Sequence, residues 1–317
     1  MPETRPTPGE GRMSDKLTKN ERRAQAREQA RKMQEERRRK ERLKKGLTVG
    51  GIIVAAVAVV AIVALVIVNS IRPAGPGPEN MASNGIVIGQ DFVAERTAAT
   101  PADGEPTPTE QRDDVIQIEV YLDYMCPACK AFEDANGPVL EQLVTSGAAT
   151  VEIHPISILD RASLGTKYST RAASAAACVA EYAPDSFWDF NTAMYAAQPA
   201  ENTAGLSNEE IVGVVESVGI DTSGGLADCI TEGRFMGWAE DATVLAGTEP
   251  LPGTDGVMAN RTPTVIVNGQ LYPGSGADAA GFQAFVTSVA GQGGESEAPA
   301  ESEAPAESET PAPSDEG

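Results

Sequence analysis

Two cysteines separated by two residues form the most reactive pattern in the sequence. Cys126-Pro127-Ala128-Cys129 follows residues that alternate between apolar and polar, which predicts a strand, and precedes residues that predict a helix. At a helix N-terminus, unpaired backbone N–H groups and the positive end of the helix dipole would stabilise the thiolate of Cys126. Cys129 would lie one turn deeper on the same face, close enough to form a disulfide with Cys126. The pattern therefore favours thiol–disulfide exchange.

A zinc site and an inert structural disulfide are the two alternatives. Zinc would need two further ligands. The chain has one histidine, His154, and no second pair of cysteines with this spacing, so we predict no metal site and no bound cofactor. Two-residue spacing directly after a strand favours a redox-active pair over a structural one.

An acidic side chain also lies close to the pair in sequence. Asp123 precedes Cys126 by three residues. If it is buried, it could tune the pKa values of the two thiols or relay a proton. The alternative is a solvated carboxylate at the end of the strand.

The elements around the pair indicate an α/β fold. Predicted strands lie at 115–122, 150–156 and 264–267, with a short edge strand at 86–88. Asn268-Gly269 is a strong hairpin signal, and a last helix is predicted at 277–290. The region of about 165–245 is predicted to be a helical insertion. Its helices are expected at 171–182, 185–197, 207–218 and 226–242.

A single transmembrane helix is predicted ahead of this domain. Residues 47–68 carry no charge, and 22 residues at about 1.5 Å each span the roughly 30 Å core of a bilayer. Residues 1–46 hold 16 of the 25 lysines and arginines. The positive-inside rule then places residues 1–46 in the cytoplasm and residues 69–317 outside the cell membrane. A cleaved signal peptide is the alternative, but the basic flank and the apolar run are both long for one.

Low-complexity segments flank the predicted domain at 84–292. Residues 69–83 are rich in proline and glycine and predict a linker. Residues 293–317 contain three copies of an acidic, proline-containing repeat, which predicts a disordered tail. Nucleic-acid binding by the basic segment at 1–46 is disfavoured, because it lacks aromatic residues on which bases could stack.

Two motifs resemble the DsbA-like branch of the thioredoxin superfamily. They are the segments at 121–130, around Cys126 and Cys129, and at 261–269, around Thr262-Pro263. The resemblance implies a thioredoxin-like fold with a helical insertion, whose active-site disulfide exchanges with thiols of exported proteins. It also implies that Pro263 is a cis-proline facing Cys126. Met125, Thr262 and Pro263 are then expected to border a substrate groove.

The resemblance favours a protein disulfide oxidase, reoxidised by a quinone-linked membrane partner. The position before the second cysteine is Ala128, whereas the strongest oxidants of the family have histidine there. We therefore expect a reduction potential between the thioredoxin and DsbA limits of about −270 and −120 mV. A membrane-tethered reductant or isomerase, for example in cytochrome assembly, is the alternative with the same chemistry. A non-catalytic binding protein is the alternative from another class.

The other two cysteines lie in predicted helices of the insertion. Cys178 and Cys229 would be exposed to an oxidising compartment, so we predict a structural disulfide between them. Two buried free thiols are the alternative.

Overall fold

The computed structural model describes residues 27–28, 31–40, 75–102 and 104–293. The chain divides into two units, Met1–Arg72 and Pro73–Gly317. In the first unit, residues 31–40 are helical, and Lys32 pairs with Glu28 at 2.9 Å. The predicted membrane span at 47–68 and the predicted tail beyond Gly293 lie outside the described residues. Within the ranges that are described, no helix is both long and apolar enough to cross a membrane.

A five-stranded mixed sheet forms the centre of the second unit, which confirms the α/β class. Its strand order is β1-β3-β2-β4-β5, with β2 and β3 parallel and the other neighbours antiparallel. The strands are β1 (Ile86–Ile88), β2 (Ile116–Leu122), β3 (Ala149–Pro155), β4 (Thr264–Val267) and β5 (Gln270–Leu271). The turn between β4 and β5 is made by Asn268 and Gly269, both at positive φ, as the hairpin signal predicts.

Seven α-helices of the second unit accompany the sheet in the described ranges. They are α1 (Pro127–Thr145), α2 (Tyr168–Tyr182), α3 (Phe187–Ala196), α4 (Asn208–Ser217), α5 (Leu226–Glu232), α6 (Met236–Thr248) and α7 (Ala279–Gly293). Helices α2 to α6 lie between β3 and β4, where the helical insertion is expected. The single helix expected at 226–242 is two helices, because Gly233 adopts a left-handed conformation (φ 62°) that ends α5.

The two faces of the sheet pack against different elements. Ile118, Val120 and Leu122 of β2 belong to the main hydrophobic core together with Phe132 of α1. The alternate residue Tyr121 belongs to a smaller core that includes part of α6. Strand β2 therefore packs against the core that holds α1 and most of the insertion on one face, and against part of α6 on the other. Cys126 lies where β2 passes into α1.

The end of the predicted linker is part of the folded unit. Three backbone hydrogen bonds of 2.7–2.9 Å join residues 77–82 to Thr97, Thr100 and Thr107. Met81 is completely buried. The ordered domain therefore begins before residue 84, the boundary expected from the sequence.

A disulfide connects two helices of the insertion. Cys178 of α2 and Cys229 of α5 are bonded at an S–S distance of 2.05 Å, and both residues are fully buried. The bond closes a loop with a sequence separation of 51 residues. It therefore cross-links helices that already contact each other in the core.

Candidate active site

The turn between β2 and α1 fixes the position of Cys126. Cys126 is the N-cap of α1, in an extended conformation, and Pro127 follows as the first helical residue. Proline is favourable there, because a helix does not use the N–H group of its first residue. The backbone N–H of Cys126 donates to the carbonyl oxygen of Asp123 (2.9 Å), and that of Cys129 donates to the carbonyl oxygen of Cys126 (3.1 Å). These bonds set both sulfurs at one end of α1.

The two thiols of the pair differ in acidity. The pKa of Cys126 is lowered to about 6, chiefly by the thiol of Cys129, which donates a hydrogen bond to it. Thr262 and the backbone N–H groups of Cys129 and Ala128 lower the pKa further, while burial opposes them. Burial raises the pKa of Cys129 well above its ordinary value. Near neutral pH, Cys126 is therefore a thiolate and Cys129 a protonated thiol.

Strand β4 brings a proline loop against the first sulfur. The peptide bond between Thr262 and Pro263 is cis. In the thiol form, Cys126 donates from Sγ to the carbonyl oxygen of Thr262 at 3.4 Å. The hydroxyl of Thr262 is buried and has no hydrogen-bond partner among the described residues, so it is available to the Cys126 thiolate. Cys126 and Thr262 are 136 positions apart in the sequence. They meet because β4 pairs with β2.

Asp123 is buried beside the pair rather than solvated. Its carboxylate accepts hydrogen bonds from the backbone N–H of Met125 (2.8 Å), the backbone N–H of Leu159 (2.9 Å) and the hydroxyl of Ser169 (2.8 Å). Burial raises its pKa to about 6 against these bonds, and the charge of Cys126 adds to the increase. The carboxylate and the Cys126 thiol therefore titrate in the same pH range and influence each other.

Met125 lies inside the core. Its side chain is completely buried, whereas Thr262 and Pro263 are partly exposed and Pro127 and Ala128 are exposed. Met125 therefore does not border the accessible surface as expected from the sequence. Its contribution to the site is the backbone N–H that binds Asp123.

Gln198 of the insertion also contacts the active-site turn. Its side-chain nitrogen Nε2 donates to the carbonyl oxygens of Tyr124 (3.1 Å) and Cys126 (3.0 Å). Gln198 follows the end of α3 and belongs to no motif, so nothing in the sequence points to it. Both Nε2 hydrogens are used, and the insertion is thereby fastened to the turn that carries Cys126.

The arrangement can carry out nucleophilic exchange at sulfur. An ionised Cys126 lies next to a protonated and buried Cys129, and exposed Pro127 and Ala128 leave room for a second sulfur to approach. Within the described ranges, no group of three or more His, Cys, Asp or Glu side chains is placed to hold a metal ion.

Comparison with known proteins identifies related domains. A family model described as thioredoxin matches residues 114–287. No match was found among curated protein sequences. The reduced disulfide bond oxidoreductase DsbG of Mycobacterium tuberculosis is 30% identical over 56% of this chain and 78% of its own (TM-score 0.46). The oxidised DsbA of the same organism is 28% identical over 65% of this chain and 93% of its own (TM-score 0.49). Oxidised BdbD of Bacillus subtilis is 18% identical over 69% of this chain and 100% of its own (TM-score 0.50). At this identity the similarity is one of fold alone.

Proposed function

The chain belongs to the thioredoxin family, its structural neighbours are thiol–disulfide oxidoreductases, and we propose that it is a membrane-anchored oxidase of exported protein thiols. The observation that carries the proposal is the unequal acidity of two adjacent thiols. Cys126 is stabilised as a thiolate at the start of α1, and Cys129 is held protonated by burial. A pair built in this way has a favoured reduced form, and so its disulfide accepts electrons readily.

The proposed reaction transfers two electrons from the substrate to the enzyme. A substrate thiolate attacks Sγ of Cys126 in the oxidised enzyme, the bond between Cys126 and Cys129 breaks, and Cys129 leaves as a thiolate that takes up a proton. A second substrate thiolate then attacks the substrate sulfur of the mixed disulfide. Cys126 leaves as a thiolate, the substrate gains a disulfide, and the enzyme is left as a dithiol.

The acidity of Cys126 supports this direction. A thiol with a low pKa is a good leaving group, so a pKa of about 6 speeds the release of the oxidised substrate. The high pKa of Cys129 opposes its departure in the first step, so Cys129 must take up a proton as it leaves. The stabilised thiolate of Cys126 is the effect that favours net oxidation of substrates over their reduction.

Three further residues have proposed roles in the reaction. Thr262 and Pro263 lie beside Cys126 and are partly exposed, so an extended substrate segment could lie along them. The Thr262 hydroxyl is positioned to stabilise the thiolate when it leaves. Asp123 is buried, and its charge is coupled to that of Cys126, so it tunes the pKa of the pair.

The predicted location suits this chemistry. The uncharged segment at 47–68 would anchor the chain, with residues 1–46 in the cytoplasm and the redox domain outside. The disulfide between Cys178 and Cys229 is consistent with an oxidising compartment. A quinone-linked membrane protein is the proposed acceptor of the electrons that the domain collects. A membrane-impermeant maleimide should label reduced Cys126 in intact cells, and labelling only after lysis would contradict this location.

Reoxidation of a reduced, unfolded ribonuclease tests the function. The oxidised full-length protein should restore ribonuclease activity, and Cys126→Ala should abolish this effect. With scrambled ribonuclease, the Cys126 thiolate of Cys129→Ala should attack a substrate disulfide, release one substrate thiolate and remain as a mixed disulfide, because Cys129 is no longer present to attack Cys126. Replacing Cys178 and Cys229 together by serine is the matched control, and this variant should remain active.

The same assay distinguishes the alternatives. A reductant or isomerase would reshuffle or reduce a scrambled ribonuclease faster than it oxidises a reduced one, and would have a potential below about −250 mV. A binding protein would show no turnover in either direction. Retained turnover in Cys126→Ala would refute the mechanism itself.

A further inference from the structure

The sheet face opposite α1 carries buried charged groups that the redox chemistry does not use. Glu119 of β2 lies directly across from Glu152 of β3, and Tyr121 lies across from His154. The exposed fractions of Glu119, Glu152 and His154 are 9%, 6% and 3%. Charged side chains are rarely buried to this extent unless each has a partner.

Only one of the two carboxylates has such a partner. Glu152 accepts a hydrogen bond from the hydroxyl of Ser83 and lies 3.2 Å from Nε2 of His154. The imidazole stacks on the ring of Tyr121, with 4.1 Å between the ring centroids. Glu119 makes no side-chain hydrogen bond or ion pair with any described residue. The positive charge that His154 can supply is directed mainly at Glu152, so it compensates the charge of Glu119 only in part.

The backbone at Gly85 is adapted to the imidazole. A Cβ atom at this position would lie 2.5–2.7 Å from three ring atoms of His154. Glycine is therefore required for the chain just before β1 to pass so close to the ring.

Glu119 lines an open cavity. The cavity has a volume of about 270 Å³ and is also lined by Glu152 and His154. A second cavity of about 280 Å³ shares Tyr121 and His154 with it and continues towards apolar side chains of α6 and the following loop. These apolar side chains are Ala242, Leu245, Ala246 and Leu251. The end at Glu119 is thus acidic and buried, and the other end offers apolar side chains of α6 together with Glu105 and Glu249.

We propose that the two cavities form a binding site for a small organic monocation, with an ammonium or guanidinium group on Glu119 and a short apolar body against α6. The charge of the lining supports a cation. Of the described residues that line the two cavities, none is a lysine or arginine, and Glu105 and Glu249 add further negative charge to the second one. The volumes lie near the lower end of the usual range for ligand pockets, about 300–1,000 Å³, which favours a molecule of few heavy atoms.

Binding at this site is expected to depend on pH. Burial raises the pKa of Glu119 to about 7, with His154 opposing the shift and Glu152 adding to it. A cation must therefore displace a proton from Glu119 below this pH. The apparent affinity should rise with pH through about 7, and should be about tenfold weaker at pH 6 than at pH 8. Any loss of the His154 proton at the higher pH would also strengthen cation binding, because it removes a positive charge that repels the ligand.

Calorimetric titration of the full-length protein with butylamine and butylguanidine tests the proposal. Butanol and butyrate are neutral and anionic controls of similar size. We expect both cations to bind with release of a proton at pH 6, and to bind at least tenfold more tightly than either control at pH 8. The test measures binding alone and does not depend on the redox function proposed above.

Two variants locate the site. Glu119→Gln keeps the shape of the side chain but removes its charge, and should weaken cation binding at least tenfold. Glu201→Gln makes the same charge change on an exposed turn outside both cavities and should bind as the unaltered protein does. Ala246→Leu should block the part of the site at α6 without changing any charge, and should also weaken cation binding. This variant tests the proposal if Glu119→Gln fails to fold. Equal binding of cations and butanol, equal binding in Glu119→Gln and Glu201→Gln, or no binding of either cation would overturn the proposal.

Discussion

The reduction potential of the Cys126–Cys129 pair should change its dependence on pH near pH 6. Below the pKa of Cys126, reduction of the disulfide takes up two protons with two electrons. Above it, Cys126 stays a thiolate and only Cys129 takes up a proton, because its pKa is well above the ordinary value. The potential should therefore fall by about 59 mV per pH unit below pH 6 and by about 30 mV per unit above it.

The size of the effect follows from the pKa of Cys126. Two pH units separate pH 8 from the pKa of about 6. At pH 8 the potential should therefore lie about 60 mV above the line extrapolated from acid pH. An unperturbed thiol with a pKa of 9.0 would show no change of slope in this range. The lowered pKa thus stabilises the reduced enzyme progressively above pH 6, and this stabilisation is lost as pH falls through 6.

Equilibration with glutathione buffers between pH 5 and pH 8, followed by thiol trapping, measures these slopes. Asp123 needs a matched variant, because its pKa is also raised to about 6. In Asp123→Asn the neighbouring negative charge is absent, so the change of slope should move below pH 6 and should not disappear. The thiolate absorbance at 240 nm should titrate in parallel and be absent near neutral pH in Cys126→Ala. A single slope of about 59 mV per unit up to pH 8 would refute the reasoning.

Three variants give further tests. Replacing Cys178 and Cys229 together by serine should lower the free energy of unfolding by up to about 4 kcal/mol in urea titrations, with the potential of the other pair unchanged. Gln198→Glu places an acceptor against two carbonyl oxygens, so it should cost about 1–3 kcal/mol of unfolding free energy, and unaltered stability would contradict the role of this contact. Ala128→His should lower the pKa of Cys126, seen at 240 nm, and raise the potential measured with glutathione; an unchanged pKa would refute the electrostatic argument.

Local patterns in the sequence predicted the elements that carry the redox pair. Alternating residues ahead of Cys126 predicted β2, and the cysteine spacing with Pro127 predicted the start of α1, because both depend on neighbouring residues only. The turn at Asn268-Gly269 was predicted from the preference of these residues for positive φ. The break between α5 and α6 was missed, because a single glycine inside an apolar helical pattern does not show whether the helix ends there.

Contacts between distant segments could not be predicted in the same way. Gln198 reaches the carbonyl oxygen of Cys126 across 72 residues, and neither residue's neighbours indicate the contact. Met125 was expected beside the substrate, but its side chain turns into the core. The three donors to Asp123 come from the active-site turn, from the loop after β3 and from α2. Only the pairing of strands and the docking of the insertion bring these groups together.

The chemistry that is available could be read from the order of the residues: two thiols one helical turn apart at a helix N-terminus, an acid nearby, and a separate pair of cysteines. Tertiary structure alone decided how acidic each thiol is and which carboxylates are left without a partner. Acidity depends on burial and on hydrogen bonds from other segments, such as Thr262 to Cys126. The incompletely compensated charge of Glu119 likewise exists only because β2 and β3 pair in one register, which places two carboxylates and a single imidazole on the same buried face.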